Sequence, residues 1–308
     1  MKTGSSTTRR TKSGRPSIAI AGAGSLAEFL APALREAGYK ITEIITRARP
    51  GATAIRRARV LAKKVGASAV TAETAPLDAS VLWVCVPDHE IRAAAADLAE
   101  RAAATAKASM GKRRAPVRRV ALHSSGALLA EELAPLRKAG FTVASVHPLM
   151  TFVSGARPSL TRVPFALEGD EAATRIARRI VHTLGAESFG LPSGRKAAYH
   201  AWATLTSPLL VAYLVALEEA AREAGLSGER ARRMSLPIIL QTLANYGSLG
   251  PASSFSGPFI RGDAETVGKH LSLLGTNPIV RPVYVALARV ALEQLPVKNR
   301  GELRRLLE

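Results

Sequence analysis

The feature that most constrains this chain is a short apolar run, residues 17–21, that passes directly into Gly22-Ala23-Gly24-Ser25-Leu26-Ala27. An amphipathic stretch over 26–37 follows, closed by Gly38 in a helix-stop position. In a strand–turn–helix unit, Gly22 permits the tight turn and Gly24 lets the backbone approach a pyrophosphate. Ala27 lets helix and strand pack closely. An anion there faces free amides at the positive end of the helix. A G-x-G-x-x-A run alone is weak evidence, and a glycine turn without ligand is the alternative. Its place after a first strand and before a second one at 41–45 makes the dinucleotide reading much stronger.

Downstream, short β-branched runs alternate with helical stretches, the pattern of a parallel sheet covered by helices. Strands are expected at 41–45, 69–70, 81–86, 117–122, 142–146, 164–168 and 187–191, with helices at 53–65, 89–105, 128–138 and 171–184 between them. Residues 81–86 are apolar on both faces and end at Pro87-Asp88, as a central buried strand would. Beyond Pro192-Ser193-Gly194 no strand is convincing, and helices are expected at 196–224, 228–246, 263–274 and 278–295. The predicted class is α/β: a Rossmann-type doubly wound sheet over 17–193, preceded by a basic tail over 1–16 and followed by an all-helical domain over 194–308.

Composition narrows the function classes. Cys85 is the single cysteine, so no disulfide framework or cysteine-based metal cluster is expected, and a reducing cytoplasm suits the chain. No metal site is expected. The longest apolar candidate for a membrane span, 201–217, is interrupted by Pro208, so no membrane association is expected. The net charge of +19 raises a nucleic-acid partner, but its two clusters, in the tail and over 107–119, lack interleaved aromatics. Solvated surface or salt-sensitive polyanion contact is expected rather than a specific nucleic-acid site.

The end of the second strand selects the cofactor. An NAD-preferring site carries an acid there for the ribose hydroxyls; this chain has Thr46-Arg47, with Arg49, Arg56 and Arg57 beyond. An arginine can stack on adenine and bind a 2′-phosphate, and Thr46 can add a hydroxyl. NADP(H) is therefore the expected cofactor, held by residues 22–27 (Gly22, Ala23, Gly24, Ser25, Leu26, Ala27), by Thr46 and Arg47, by Val86 and Pro87 at the next strand end, and by Ser125. Asp88 is expected to cap the helix after Pro87.

Other candidates gather at the carboxyl edge of the expected sheet. Ser124 and Ser125 in His123-Ser124-Ser125-Gly126 could hold a nicotinamide carboxamide or substrate oxygen, or merely cap a helix. His147 reads equally as a substrate contact or a buried histidine. Lys196, Tyr199, His200, Thr204 and Ser207 fall on one helical face. Lys196 or His200 could donate the proton that accompanies hydride transfer, with Lys196 expected to reach solvent and His200 to lie deeper. Gly257 and Arg261, in a Gly/Pro/Ser-rich loop, are further substrate-binding candidates, Arg261 for a carboxylate.

These residues together resemble the Rossmann-like proteins with a DUF2520 domain, relatives of pyrroline-5-carboxylate reductase, ketopantoate reductase and the 6-phosphogluconate dehydrogenase group. The resemblance rests on the glycine loop, on residues 123–128, on Ser145-Val146-His147-Pro148-Leu149-Met150-Thr151-Phe152, and on segments 164–170, 199–201, 256–258 and 261–263. It implies an NADP-binding domain, a helical dimerisation domain related to the 6-phosphogluconate dehydrogenase C-terminal type, and a small substrate in the cleft between them. Where relatives read Ser-Asn, this chain reads Ser207-Pro208. The expected function is NADP(H)-dependent reduction of a small carbonyl or imine acid by a homodimer, with ketopantoate-like reduction included. A non-catalytic NADP(H)-binding regulator is the alternative.

Overall fold

The computed structural model describes residues 14–47, 51–108, 119–153, 156 and 158–308. The basic tail short of Gly14, Arg49 and most of the 107–119 cluster lie outside the described residues. The chain divides into two compact units, Met1–Ala203 and Thr204–Glu308.

The first unit is a single eight-stranded sheet. Its strands are β1 (Ile18–Ala21), β2 (Ile41–Thr46), β3 (Ser68–Thr71), β4 (Val81–Val84), β5 (Arg119–His123), β6 (Phe141–Pro148), β7 (Pro164–Gly169) and β8 (Glu187–Gly190). They lie in the order β3-β2-β1-β4-β5-β6-β7-β8. Every pair is parallel except β6 with β7. The strand order reverses between β1 and β4, so the crevice at their carboxyl ends is where doubly wound folds take ligands.

Both faces of the sheet are buried, which is why these strands read as continuous apolar runs. On one face Ile18, Ile20, Trp83 and Phe165 pack under α1 (Ser25–Glu36), α2 (Ala52–Val65) and α5 (Glu171–Thr183). On the other, Ala19, Leu82, Val84 and Val143 meet α3 (Ile91–Ala108) and α4 (Ala134–Lys138).

Several local readings are corrected. The helix expected over 128–138 is a 3-10 turn, Ala130–Leu133, followed by the short α4. Its start is displaced because the Ser125 hydroxyl already accepts the amides of Ala127 and Leu128. Arg119, counted with the solvated basic cluster, begins β5 instead. Its guanidinium is stacked 4.0 Å from the Phe141 ring centroid and donates to the Leu77 carbonyl at 2.9 Å.

The single helix expected over 196–224 is broken. α6 (Lys196–Thr206) ends at Ser207, whose φ of −127° is not helical, and Pro208 takes the first turn of α7 (Pro208–Glu223). There its missing N–H costs nothing. The unit boundary falls inside α6, ten residues beyond the boundary read at Ser193, because Lys196 and Tyr199 are buried in the first unit's side-chain network.

One stretch among the described residues, Ser193–Glu223, is long and apolar enough to cross a membrane by length and composition. The break at Ser207-Pro208 divides that stretch into α6 and α7. Such a span would have to draw Tyr199 away from its hydrogen bond to His147.

The second unit is wholly helical: α7, α8 (Gly228–Ser254), α9 (Pro258–Arg261), α10 (Ala264–Leu274), α11 (Val280–Gln294) and α12 (Arg300–Leu306). Asp263 caps α10 as its position suggests, accepting the Thr266 amide at 3.0 Å. A small core of Val267, Leu271, Val285, Ala288, Leu292 and Leu303 joins α10 to α12. α7 and α8, by contrast, bury only Ala216 and Ala231.

One buried acid sets a pH dependence of stability. Glu43 on β2 is 4 % exposed, and its Oε2 has no hydrogen-bond partner among the described residues. Burial raises its carboxyl above the ordinary value. Folding therefore tightens the proton, so the contribution is full below the ordinary value of 4.5 and is lost as pH rises above it. Glu43→Gln is expected to show a smaller loss of stability between about pH 5 and about pH 8 than the unchanged chain, measured by urea unfolding.

Candidate functional site

The glycine turn is built as its sequence demands. Gly22 has φ 109°, and a Cβ there would collide with the carbonyl oxygen of Cys85. It is thus required by the approach of β4. Gly24, the N-cap of α1, offers no capping side chain, and a Cβ there would meet nothing within 4 Å. Its smallness serves no contact within the protein and leaves room for a ligand at the helix N-terminus. Ala27 is fully buried, whereas Ser25 is exposed and Ala23 and Leu26 are half-buried. Val86 borders the same turn, its side chain 3.3 Å from a Cβ placed on Gly22. Cys85 behind it is a buried thiol pushed up to about 12 by desolvation, hence no nucleophile.

Arg47 is exposed just beyond β2. The Thr46 hydroxyl, expected as a phosphate donor, instead donates to the Val70 carbonyl at 3.3 Å. A groove of ≈ 360 Å³ between α1 and α2 is lined by Glu28, Arg56, Arg57, Val60, Leu61 and Lys64. Three of those six are cations. The donor set at this turn fits a phosphorylated dinucleotide.

At the carboxyl ends of β5 and β6 lies a connected polar cluster. His123, fully buried, accepts the Ser125 amide at Nδ1 (3.1 Å). Its Nε2 must then carry the proton and donates to the Leu129 carbonyl at 3.0 Å. Burial foremost, then the charge of Lys196, lowers this imidazole to about 4, so it stays neutral. His123 thus ties down the loop that presents Ser124, Ser125 and Gly126.

Ser124 Oγ accepts the indole N–H of buried Trp83 at 2.9 Å. Ser125 Oγ donates to Asp88 at 2.7 Å while capping the turn. Asp88 therefore does not cap the helix after Pro87; it is held by the serine loop. Pro87 itself is exposed.

Lys196 is the largest departure from expectation. It is 2 % exposed, among the most buried side chains of the chain, and donates to the Ser145 hydroxyl, which donates on to the Ser125 carbonyl at 3.1 Å. The reading in which Lys196 swings into solvent and His200 lies deeper is reversed, since His200 is half-buried. Desolvation lowers the Lys196 ammonium to about 8, opposed by Glu168 and Asp88.

One turn along α6, Tyr199 OH lies 2.7 Å from His147 Nδ1. The imidazoles of His147 and His200 stand edge to face at 6.4 Å. Both crowd Gly126: a Cβ there would lie 2.7 Å from His200 Cδ2 and 2.8 Å from His147 Nε2. Burial, then Lys196, lowers His147 to about 4. Among the described residues no group of acids, histidines or cysteines could hold a metal.

The first unit therefore brings together Lys196, Tyr199, His200, His147, Ser124 and Ser125. Thr204, Ser207, Gly257 and Arg261 belong to the second unit. There Gly257 (φ 96°) is the residue before α9 and exposed Arg261 ends it. Sequence reasoning did not assign roles to Trp83, Ser145, Gly126 or Asp88 in this network. A serine at a buried position of β6, directly before Val146-His147, was the available signal.

Residues 17–108 match the family described as NADP oxidoreductase, coenzyme F420-dependent, and residues 163–291 match the DUF2520 domain of unknown function. No curated protein matches the chain. Among solved structures, a Bacteroides fragilis protein classed with the NADP oxidoreductases is 22% identical, with TM-score 0.67 over 91% of this chain and 98% of that one. A Thermotoga maritima protein is 24% identical, with TM-score 0.64 over 94% and 98%. The pyrroline-5-carboxylate reductase of Coxiella burnetii shares the fold at 16% identity, with TM-score 0.54 over 95% and 99%. The chain thus resembles the NADP oxidoreductase family over residues 17–108 and the DUF2520 domain over residues 163–291.

Proposed function

We propose that the protein is an NADP(H)-dependent reductase of a small carbonyl or imine acid. The observation that carries this reading is the buried ammonium of Lys196, placed beneath the serine loop at the carboxyl edge of the sheet that carries the glycine turn. A buried cation is costly to keep; Glu168, Asp88 and the Ser145 hydroxyl offset part of that cost, and negative charge on the substrate or appearing during reaction would offset more. The pyrroline-5-carboxylate reductase fold supports the imine alternative, and a ketopantoate-like carbonyl acid is the other. When bound, NADPH supplies the hydride. The chain's own residues hold its pyrophosphate at the α1 N-terminus (Gly24, Ser25, Leu26) and its 2′-phosphate at Arg47. Ser124, Lys196, Tyr199 and His200 then orient the acid and supply its proton.

The test of the cofactor assignment is direct. NADPH is expected to bind at least tenfold more tightly than NADH, about 1.4 kcal/mol. Arg47→Asp should abolish that difference. Equal affinities in the unchanged protein would refute it.

The two glycines separate fold from binding. Gly22→Ala should destabilise the protein by several kcal/mol, because the Cβ meets the β4 backbone at a positive φ. Gly24→Ala should leave the unfolding midpoint within about 0.5 kcal/mol while weakening NADPH binding, which fluorescence titration measures.

A second copy of the chain is the proposed cover for the second unit. Along α8, Leu236, Ile238, Leu240, Leu243, Tyr246 and Leu249 are each more than half exposed. A soluble monomer rarely displays so large an apolar face. Light scattering should report a dimer, and Ile238→Glu with Leu243→Glu should yield monomers. A monomeric unchanged chain would remove this part of the proposal. The single, buried thiol is in keeping with a cytoplasmic setting.

A further inference from the structure

The two faces of the sheet are dressed with charge differently. Over one face, α3 and the turn before α4 answer cations with acids. Arg92 pairs with Glu132 and Arg137 with Glu131, and Asp97 and Glu100 share α3 with Arg101. Over the other face, α2 carries Arg56, Arg57, Arg59, Lys63 and Lys64 and no acid. On that same face α5 adds the exposed Arg178 and Arg179.

The direction of these charges follows from how α2 packs. Ala58, Leu61, Ala62 and Val65 are buried against the sheet and fix the inward side of the helix. At about 100° per residue, all five cations fall on the opposite arc, and each is exposed. Among the described residues none of the five forms an ion pair. Lys63 and Lys64 complement the helix C-terminus. Arg56 and Arg59, three apart, and Arg59 and Lys63, four apart, repel instead and weaken the helix. The 2′-phosphate assigned to Arg47 carries about two charges, too few to account for five further cations.

We propose that this outer face of α2 docks on the phosphate backbone of a nucleic-acid duplex without reading its sequence. From Arg56 to Lys64 the helix rises about 12 Å, a distance in which duplex DNA presents about seven phosphates. The arc carries no aromatic side chain on which an unpaired base could stack, which favours a duplex over a single strand. Its exposed large apolar side chain is Val60 alone. A helix that lies in a lipid surface needs a whole apolar face, and α2 has buried its own against the sheet. The net charge of +19 draws a polyanion toward the chain, and α2 offers it a rigid row of contacts.

This contact is independent of the reductase reading. Arg59 and Lys63 lie outside the groove between α1 and α2, so they can be changed without touching its lining.

Fluorescence anisotropy of a labelled short DNA duplex of arbitrary sequence, titrated with the full chain, measures the contact. Binding is expected with a Kd of about 1–100 μM near physiological salt, and log Kobs should fall against log salt with a slope of about −4 or steeper. Arg59→Gln with Lys63→Gln should reduce that slope by about 2 and weaken binding equally for unrelated sequences. NADPH affinity and the unfolding midpoint should not change. Arg59→Lys with Lys63→Arg, which keeps the charge, should keep the slope. Lys298→Gln with Arg305→Gln removes the same charge from exposed positions near the C-terminus and should also leave the slope as it was. Absence of duplex binding, a slope indifferent to the α2 pair, or an equal loss from the C-terminal pair would each overturn the proposal. Tighter binding to a single strand would do the same, as would retention on phosphatidylcholine–phosphatidylserine vesicles at a salt concentration that releases the duplex.

Discussion

The site depends on His123 remaining uncharged. With Nδ1 accepting the Ser125 amide and Nε2 donating to the Leu129 carbonyl, the ring spans the mouth of the loop that carries Ser124, Ser125 and Gly126. An imidazolium could not accept at Nδ1, and burial beside Lys196 makes it costly. Fixing this one ring fixes the Ser125 carbonyl for Ser145, the Ser125 hydroxyl for Asp88 and the Ser124 hydroxyl for Trp83. Lys196 joins the same network through Ser145. Buried polar groups of this kind are tolerable only when each has its partners, and here the partners are supplied in series.

Much of the fold was legible because parallel strands buried on both faces leave unmistakable apolar runs. All eight strands lie where the sequence placed them, and the glycine turn could be understood before its geometry was known. Errors arose where a side chain competes with the backbone. Ser125 intercepts the amides that would have begun a helix at Leu128, and Pro208 starts a helix rather than kinking one. Neither contest is visible in periodicity.

At the site, helical spacing grouped Lys196, Tyr199 and His200 correctly but misjudged their depth. Lys196 sits in the first turn of α6, where a long side chain usually reaches water. It is buried because β6 brings Ser145 against it, and which strand supplies the partner is a property of the sheet order. Asp88 was assigned to the nearest helix start for the same reason: its true partner, Ser125, is 37 residues away. Long-range pairings escape local patterns, and most of the polar cluster consists of them.

The two tryptophans divide the protein in a useful way. Trp83 is fully buried in β4 with its indole on Ser124, whereas Trp202 is half exposed on α6. Indole emission shifts with the polarity and hydrogen bonding around the ring, so the two residues should differ in colour and in access to aqueous quenchers. Reduced nicotinamide absorbs where indole emits. The chain therefore contains an intrinsic optical reporter: emission from Trp83, isolated by quenching Trp202, follows the state of the serine loop without any label attached.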